Sequence, residues 1–537
     1  MNDPKTQTGN GRFPTFRRWA GWMFNGRTIR GGLFALACLV TFLALYCAEE
    51  NWRGRRSWNN YQHAIEARGE HLDYTAFIPK PVPDEQNFAA TPVIASWFLK
   101  QNPGSAGFDR DDFGKASGMI RDSKNKDSAQ RQFLDLVAWK MAFAAIRSGQ
   151  ETPHQIFFAT NQLDSETRAQ AAPAVLEGLK SSETELEELR AASRRPYSRY
   201  PVDYDLDNPW GIRLPHLAKI KGEAQRLELR ACAELAAGRA GGALEDVKLM
   251  LRLADSLKEE PILISYLVRL ACVHIALQPV WEGLAAHRWS EAELRELQTR
   301  FQQFRFLEDM KRPLGGERAA GVLTADLLYR KKYRLSELFD LDAPHPAGGD
   351  FLNLVGRIAP HGWYYQEQLN YCRLYESQLQ GTFDAAQDRV FPGRIQTHAH
   401  ELEREIAGGR LGKTFNAVLH HQLLAAMLLP ALSKLPVKAA AAQISADQAA
   451  VACALERWRL AHGQYPDHLT ALAPPVLDKV PRDVISGEPP GYRRLDDGTF
   501  LLYSFGWNEK DDGGTPGKTR FDEQQGDWIW RYPENPR

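Results

Sequence analysis

The chain lacks the signatures of most enzymes and nucleic-acid-binding proteins. Its 67 basic and 67 acidic residues cancel, and without a net positive field we expect no nucleic-acid partner. Its six cysteines form no Cys-x-x-Cys pair, which argues against a zinc site and a disulfide framework. No P-loop, GxSxG or GxGxxG motif and no Cys/His dyad is present. The sequence therefore predicts no catalytic residue and no cofactor-binding residue, and it gives no indication of enzyme activity.

Charge is absent from one long run near the N-terminus. Gly31 to Ala48 contains 18 uncharged residues, about 27 Å of helix, which is close to the thickness of a bilayer core. A cleaved signal peptide is the alternative, but bulky Leu45 and Tyr46 stand where small residues mark cleavage. Most flanking lysine and arginine residues precede the run, so the positive-inside rule places residues 1–30 in the cytoplasm. We expect a single transmembrane helix, with the bulk of the chain outside the cytoplasm.

Most of the remaining chain has helical periodicity. Pro79, Pro81 and Pro83 predict an extended stalk and strap within residues 49–127, because proline breaks helices. Over residues 128–434, apolar residues recur at three- and four-residue steps. The sequence therefore predicts a mainly α fold, with an α-helical bundle or solenoid in this region.

The clearest local motif of the helical region is a helix–turn–helix. It lies within residues 229–246, with Gly238 at the turn and small residues that allow the two helices to approach closely. Leu235, Gly238 and Ala243-Leu244 make it resemble a tetratricopeptide (TPR) hairpin. Because no regular 34-residue period follows, we expect TPR-like hairpins and no regular array.

The pattern changes after about residue 435. An alanine-rich helix is predicted from Ala439 to His462, followed by short strands at 492–494, 500–505 and 528–532. This order favours a helix packed on a small antiparallel sheet, and so a small α+β domain over residues 435–537.

The C-terminal domain resembles type IV pilins and the pseudopilins of type II secretion. The resemblance rests on Gly463-Gln464-Tyr465-Pro466 at the end of the helix, on Leu501-Leu502-Tyr503-Ser504 in a strand, and on the acidic, glycine-rich loop that follows. It implies a pilin-like fold for residues 435–537.

The same resemblance implies a possible calcium site in that loop. Asn508, Asp511 and Asp512, with Asp522 or Asp527, would supply the hard oxygen ligands that calcium prefers. The alternative is a solvated hairpin in which the two glycines after Asp512 serve only turn geometry.

Two features depart from a working pilin. The apolar run over residues 423–432 is too short to span a membrane, and no prepilin processing site lies near it. We therefore do not expect the domain to enter a filament by the usual route. The whole chain also resembles large membrane-anchored proteins of planctomycete and verrucomicrobial bacteria, which implies a bacterial inner membrane and a periplasmic C-terminal bulk.

Two further polar clusters allow a metal-dependent interpretation. His398, His400, Glu401 and Glu403 are close in sequence, but on a helix residues i and i+2 point about 200° apart. The acidic loop 203–211 begins like a calcium loop, yet it lacks the glycine and the glutamate that an EF-hand requires. A charged helix face and a structured crossover are the simpler interpretations.

Three functions follow from these observations. The leading hypothesis is a single-pass membrane-anchored envelope protein with a scaffold or docking role and a protein partner. One alternative is an accessory component of a type II secretion or type IV pilus-like system. The other is a metal-dependent envelope hydrolase built from His398, His400, Glu403 and the 203–207 loop.

Overall fold

Helices dominate the computed structural model of the protein, which describes residues 26–99, 111–120, 130–149, 167–332, 354, 356–357, 359–406 and 413–533. Two small antiparallel sheets accompany the helices, so the predicted mainly α fold class is confirmed. The chain divides into two compact units, one of residues 1–67 and 325–369 and one of residues 68–324 and 370–537.

The regular elements are numbered in chain order. The helices are α1 (Gly26–Ala67), α2 (Pro92–Trp97), α3 (Asp112–Met119), α4 (Leu136–Arg147), α5 (Arg168–Gly178), α6 (Glu183–Ala192), α7 (Pro215–Ala236), α8 (Ala240–Asp255), α9 (Leu263–Ala285), α10 (Glu291–Phe301), α11 (Phe306–Asp309), α12 (Lys311–Tyr329), α13 (His361–Leu379), α14 (Pro392–Ile406), α15 (Lys413–Leu419), α16 (Leu423–Leu428) and α17 (Leu435–His462). The strands are β1 (Phe383–Asp384), β2 (Arg389–Val390), β3 (Gly491–Arg494), β4 (Phe500–Ser504) and β5 (Trp528–Arg531).

Helix α1 is exposed along the run that the sequence predicts as a membrane anchor. It continues without a break well past Ala48, and large apolar side chains of the run, such as Phe34 and Phe42, are 73% and 68% exposed. Apolar surface of this extent is unfavourable in water and favourable in lipid or against a partner.

The second half of α1 packs closely on the start of α13. The Gly362 amide donates to Asn51 Oδ1 over 2.6 Å. A Cβ added at Gly54 would lie 2.5 Å from the Gly362 carbonyl oxygen, and one at Gly362 would lie 2.1 Å from the Glu50 carbonyl oxygen. Two glycines therefore allow the two backbones to meet at this crossing.

Two described helices are long and apolar enough to cross a membrane by length and composition, α1 from Arg30 onward and α9. None of the most apolar window of α1 is buried, whereas 56% of the corresponding window of α9 is buried. Helix α9 packs against α7, α8 and α17, as expected for the central helix of a folded domain. The N-terminal helix is therefore the candidate for an anchor.

The predicted helix–turn–helix is present as α7 and α8, which pack on each other. Gly238 lies between them with a φ of +76°, a left-handed conformation that glycine adopts without steric cost. Ala231, Cys232 and Ala243 are fully buried, so small side chains do line the contact. The TPR-like character of this hairpin stays a prediction.

A buried carboxylate links three helices of the second unit. Asp246 of α8 is fully buried and accepts hydrogen bonds from Arg190 of α6 at 2.7 Å and from Arg230 of α7 at 2.5 Å. Burial raises the pKa of Asp246 to about 6, although both arginines oppose the rise. Because a lone buried charge is costly, the three side chains fix α6 against α7 and α8.

The strap that precedes the helical bundle is bound through arginine side chains. Arg195 donates to the carbonyls of Asp84, Asn87 and Ala90 at 2.8–3.3 Å, and Arg199 donates to the carbonyl of Pro79 at 2.9 Å. Both arginines therefore tie the strap to the segment that follows α6 through main-chain carbonyls of the strap.

Residues 435–533 form a long helix followed by an antiparallel sheet, in the order that the sequence predicts. The sheet has the order β3-β4-β5, with the buried strand β4 in the centre. Gln448 of α17 donates to the Trp528 carbonyl over 2.8 Å, and α17 also packs against α9, α10 and α11. The pilin-like nature of this region remains a prediction.

The Gly463-Gln464-Tyr465-Pro466 motif has a physical role at the end of α17. Gly463 ends the helix with a φ of +82°, which turns the chain back so that the Tyr465 hydroxyl donates to Glu456 over 2.7 Å. His287 and Arg459 also bond to this buried carboxylate, at 2.8 and 2.7 Å. The motif therefore closes a buried polar cluster.

Candidate functional site

Three helices of the second unit present one face each to a common groove of about 1190 Å³. The lining positions include 187, 190, 191 and 194 on and after α6, 245, 248, 249 and 252 on α8, and 292, 295, 296 and 299 on α10. These intervals of three and four residues are those of a single helix face. We call this feature the α6–α8–α10 groove.

Basic side chains outnumber acidic ones along this groove. The basic residues are Arg190, Arg194, Lys248, Arg252, Arg295 and Arg300, and the acidic residues are Glu187, Glu245 and Glu296. Several of these basic side chains are paired with carboxylates, as Arg295 is with Glu291, so the net positive charge of the groove is smaller than the count suggests.

Ion pairs fix the walls of the groove. Lys248 of α8 lies 3.0 Å from Glu245 and 2.8 Å from Glu296 of α10, so one ammonium bridges two helices. Arg300 pairs with Asp255. Exposed Arg194 has no ion-pair partner within the described ranges, and it is the charge best placed to meet a ligand.

Arg252 serves the wall rather than the ligand. Its guanidinium donates to the carbonyls of Ser193, Arg195 and Tyr197 at 2.8–3.2 Å and lies over the Phe88 ring at 4.7 Å. Burial lowers the pKa of Arg252, since main-chain carbonyls compensate a desolvated charge less well than a carboxylate does. The segment after α6 is thereby held against α8.

The floor of the groove is apolar. Leu249 and Leu297 line it and are 2% and 1% exposed, so a ligand would contact mainly the charged walls. This arrangement suits non-covalent recognition of a polypeptide segment. The sequence analysis did not identify these residues; the pattern that could have identified them is the recurrence of charged residues at three- and four-residue steps on α6, α8 and α10.

A second groove of about 710 Å³ is mainly apolar. Trp210, Pro261 and Leu263 are among the residues that line it, and Glu317 is its acidic residue. Glu317 accepts a hydrogen bond from the Leu263 amide over 3.1 Å, and burial raises the pKa of this carboxyl although that bond opposes the rise.

The acidic residues of the C-terminal loop separate into two sets. Asp527 is 1% exposed and accepts from the amides of Asp512 and Gly514, at 3.3 and 2.6 Å. Asp512 accepts from the Asn508 side chain at 2.9 Å and from the Gly526 amide at 3.1 Å. The loop therefore brings together Asn508, Asp512 and Asp527.

Asp511 and Asp522 have different roles in this loop. The Asp511 carboxylate accepts from the Gly513 amide over 2.9 Å, and its charge acts on Asp527. Asp522 accepts from three amides, those of Lys518, Gln524 and Gln525, at 2.8–3.2 Å. These hydrogen bonds lower the pKa of the Asp522 carboxyl and hold its carboxylate against the amides of the turn that contains it.

Repulsion from Asp511 and Asp512 contributes to the raised pKa of Asp527. Burial raises the pKa of Asp527 to about 6, two amide donors oppose the rise, and the charges of Asp512 and Asp511 add to it. A divalent cation at this point would relieve the repulsion, and so calcium stays a prediction for this loop.

The histidines of the hydrolase hypothesis lie on α14. His400 pairs with Glu403 at 3.8 Å, with both side chains at least three-quarters exposed, while the main-chain carbonyl of His398 accepts a hydrogen bond from Gln378 over 3.0 Å. In the acidic loop, Asp205 caps a turn by accepting from the Asp207 amide over 2.9 Å. Among the described residues, no group of three or more His, Cys, Asp or Glu side chains is placed to hold a metal ion.

Comparison of the chain with protein-family models, with curated proteins and with solved structures finds no match. The function must therefore be inferred from the chain's own geometry.

Proposed function

We propose that the protein is a single-pass scaffold of the bacterial cell envelope that docks a protein partner in the α6–α8–α10 groove. The observation that carries the proposal is the groove itself, with about 1190 Å³ of space between charged walls with an excess of basic side chains. Small-molecule sites are mostly apolar pockets that enclose their ligand. A charged groove over an apolar floor suits a polypeptide segment of acidic character instead.

The anchor in this proposal is the apolar part of α1. Its side chains are exposed over residues 31–46, and the lysine and arginine residues before it favour a cytoplasmic N-terminus. The rest of the chain would then face the periplasm. The C-terminal domain, with its pilin-like pattern, would act there as a docking module.

Charged substitutions in the anchor test the membrane assignment. One arginine at the centre of a transmembrane helix costs about 2.5–3.5 kcal/mol on insertion scales. Replacing both Leu39 and Phe42 by arginine should move the full-length protein from the membrane fraction to the soluble fraction. The matched control, Leu39→Ile with Phe42→Leu, should stay in the membrane. Retention of the double-arginine variant after an alkaline wash would count against α1 as the anchor.

A fusion test decides the orientation. Alkaline phosphatase attached after Arg537 should be active, because this reporter folds only outside the cytoplasm. Activity of a cytoplasmic reporter at the same position would reverse the proposed topology.

Charge reversal in the groove tests docking. Arg194→Glu removes an exposed cation from the groove and breaks no ion pair of the described residues. After cross-linking in the envelope and purification, the variant should carry less of any partner protein than the wild-type protein does. Lys479→Glu makes the same change at an exposed position outside the groove and should recover the wild-type amount. Equal recovery by both variants would refute the groove as the docking surface.

A further inference from the structure

Just beyond its apolar run, helix α1 turns one side toward α13. Glu50, Gly54 and Trp58 lie on this side and are buried, at the four-residue intervals of one helix face. The crossing is fixed by Gly362 of α13, whose amide donates to Asn51 Oδ1 over 2.6 Å. The remaining side of these turns of α1 is therefore left exposed at a defined distance from the end of the run.

The exposed side carries a tryptophan and two arginines, Trp52, Arg55 and Arg56, which we call the juxtamembrane patch. Trp52 is 62% exposed, and both arginines are exposed as well. The Arg56 guanidinium carbon lies 5.3 Å from the centroid of the Trp52 ring, a cation–π contact. Within the ranges that the structure describes, neither arginine has an ion-pair partner, so both charges are available to a ligand.

The acidic residues of the same turns are already engaged. Arg53 lies 3.4 Å from Glu49 and also pairs with the buried Glu50. These pairs reduce the repulsion that the two carboxylates would exert on an anion. Three arginines against two glutamates leave the stretch 49–56 one positive charge in excess.

The patch lies close to the height expected for lipid headgroups. Trp52 follows Ala48, the end of the apolar run, by about 6 Å of helix, and the headgroup layer extends about 5–8 Å beyond the hydrocarbon core. The backbone of Arg56 is about 12 Å beyond Ala48, but side chains of a helix lean toward its N-terminus, which here is the side of the run. The contact with Trp52 brings the Arg56 guanidinium one turn closer to the run.

The start of α13 lies at the same height and adds aromatic rings. A Cβ added at Gly362 would lie 2.1 Å from the Glu50 carbonyl oxygen, so the first turn of α13 is level with this turn of α1. The Tyr329 ring packs against His361 and Tyr365 of α13, with centroids 4.9 and 6.0 Å apart. Tyrosine and tryptophan are enriched where proteins meet lipid headgroups, so the two helices together are suited to a membrane surface.

We propose that the juxtamembrane patch binds the phosphate groups of anionic phospholipids at the surface of the membrane that α1 spans. The proposal rests on the anchor assigned above to residues 31–48. Guanidinium groups bind phosphate oxygens through paired, charge-assisted hydrogen bonds, and long basic side chains reach from a helix end to the headgroups. Lipid is the occupant because the patch continues the apolar run on the same helix. The contact would hold the crossing of α1 and α13 against the membrane surface.

The lipids that stay bound to the full-length protein test the proposal. The protein would be reconstituted into bilayers of equal parts phosphatidylglycerol and phosphatidylcholine, and its retained lipids counted by native mass spectrometry. One arginine near an anionic surface contributes about 1 kcal/mol, which is about a fivefold preference. The wild-type protein should therefore retain phosphatidylglycerol about fivefold or more over phosphatidylcholine, and less so at high ionic strength. Equal retention of the two lipids at low ionic strength would overturn the proposal.

Substitutions of the two arginines locate the contact. Arg55→Gln with Arg56→Gln should bring the two lipids close to equal retention, whereas Arg55→Lys with Arg56→Lys keeps the charge and should keep most of the preference. The control Lys479→Gln with Arg493→Gln removes the same charge at exposed positions of the second unit and should match the wild-type protein. A preference that survives the glutamine pair would place the lipid elsewhere and overturn the proposal. A lysine pair that behaves like the glutamine pair would also overturn it, since the arginines would then act through packing.

An alkaline wash separates the patch from the anchor. The wild-type protein and the glutamine pair should both stay in the membrane, because residues 31–48 are unchanged in both. Release of both would overturn the anchor and the patch together, whereas retention of both with equal lipid retention would overturn the patch alone. Glycerol 3-phosphate added to the bilayers should leave the retained lipid unchanged. Displacement of the lipid by this soluble ester would identify a site for a free anion and overturn the membrane contact.

Discussion

Replacing Glu456 by glutamine should destabilise the protein strongly, because this carboxylate is the centre of the polar cluster at the end of α17. Its side chain is 1% exposed and accepts hydrogen bonds from His287, Arg459 and Tyr465 at 2.7–2.9 Å. Glutamine has nearly the same shape, but its amide group cannot accept hydrogen bonds as the second carboxylate oxygen does. The substitution therefore tests the charge and leaves the packing nearly unchanged.

The expected magnitude follows from the pKa of Glu456. Burial raises it, but hydrogen bonds from His287, Arg459 and Tyr465 outweigh burial and lower it from 4.5 to about 2. A shift of this size corresponds to roughly 3 kcal/mol of stability at neutral pH. Because the folded-state pKa is depressed, the contribution is fully present above about pH 4.5 and is lost as the pH falls toward 2.

Thermal unfolding followed by tryptophan fluorescence measures the effect. At pH 7 the Glu456→Gln variant should unfold about 3 °C below the wild-type protein, and the difference in stability should shrink by about 1 kcal/mol or more at pH 3.5. Glu177→Gln is the matched control, since Glu177 forms an exposed pair with Lys180 at 3.6 Å and exposed pairs contribute about 0–1 kcal/mol. The reasoning is refuted if the two variants have the same Tm at pH 7, or if the Glu456→Gln difference is independent of pH.

Three further predictions concern the α1 crossing, the α7–α8 turn and the acidic loop. Gly362→Ala should lower the free energy of unfolding in urea by about 1–3 kcal/mol and expose α1 to limited proteolysis, because the Cβ of the new alanine would meet the backbone of α1. A variant that is cleaved at the same rate as the wild-type protein would contradict the crossing. Gly238→Ala should lower the free energy of unfolding by about 1 kcal/mol. The backbone φ of +76° is the cause, since no atom lies within 4 Å of the added Cβ. An unchanged midpoint of urea unfolding would contradict that strain. Millimolar calcium should raise the Tm of the full-length protein at pH 7.5 and less at pH 5, where Asp527, whose pKa is about 6, is largely protonated. Asp511→Ala with Asp512→Ala should abolish the calcium effect, and a Tm that calcium leaves unchanged would identify the loop as a plain turn.

Local patterns predicted many of the elements because their causes are local. Ser290 and Glu293 signal a helix start and form a capping box at α10. The helix predicted from Ala439 to His462 ends where expected because Gly463 caps it. It begins earlier, at Leu435, because proline is tolerated in the first turn. The order and antiparallel pairing of the C-terminal strands also follow from short alternating segments and tight turns.

The candidate sites depend on contacts between distant parts of the chain. Lys248 and Glu296 form one wall contact of the groove from two helices, and no spacing rule predicts that pair. Of the acidic loop residues, Asp522 looked equivalent to Asp527 in sequence, but the fold uses it to cap its own turn.

The sequence by itself determined the apolar run of α1, the helical class of the protein and the order of the C-terminal elements. Each of these depends on the period of hydrophobic residues or on the conformational preferences of glycine and proline, which act within a few residues. The tertiary structure alone decided which charges lie together, as at Glu456, at Asp246 and in the groove. The physical reason is that the energy of a charge depends on its burial and on its neighbours in space, and these are set when the helices pack.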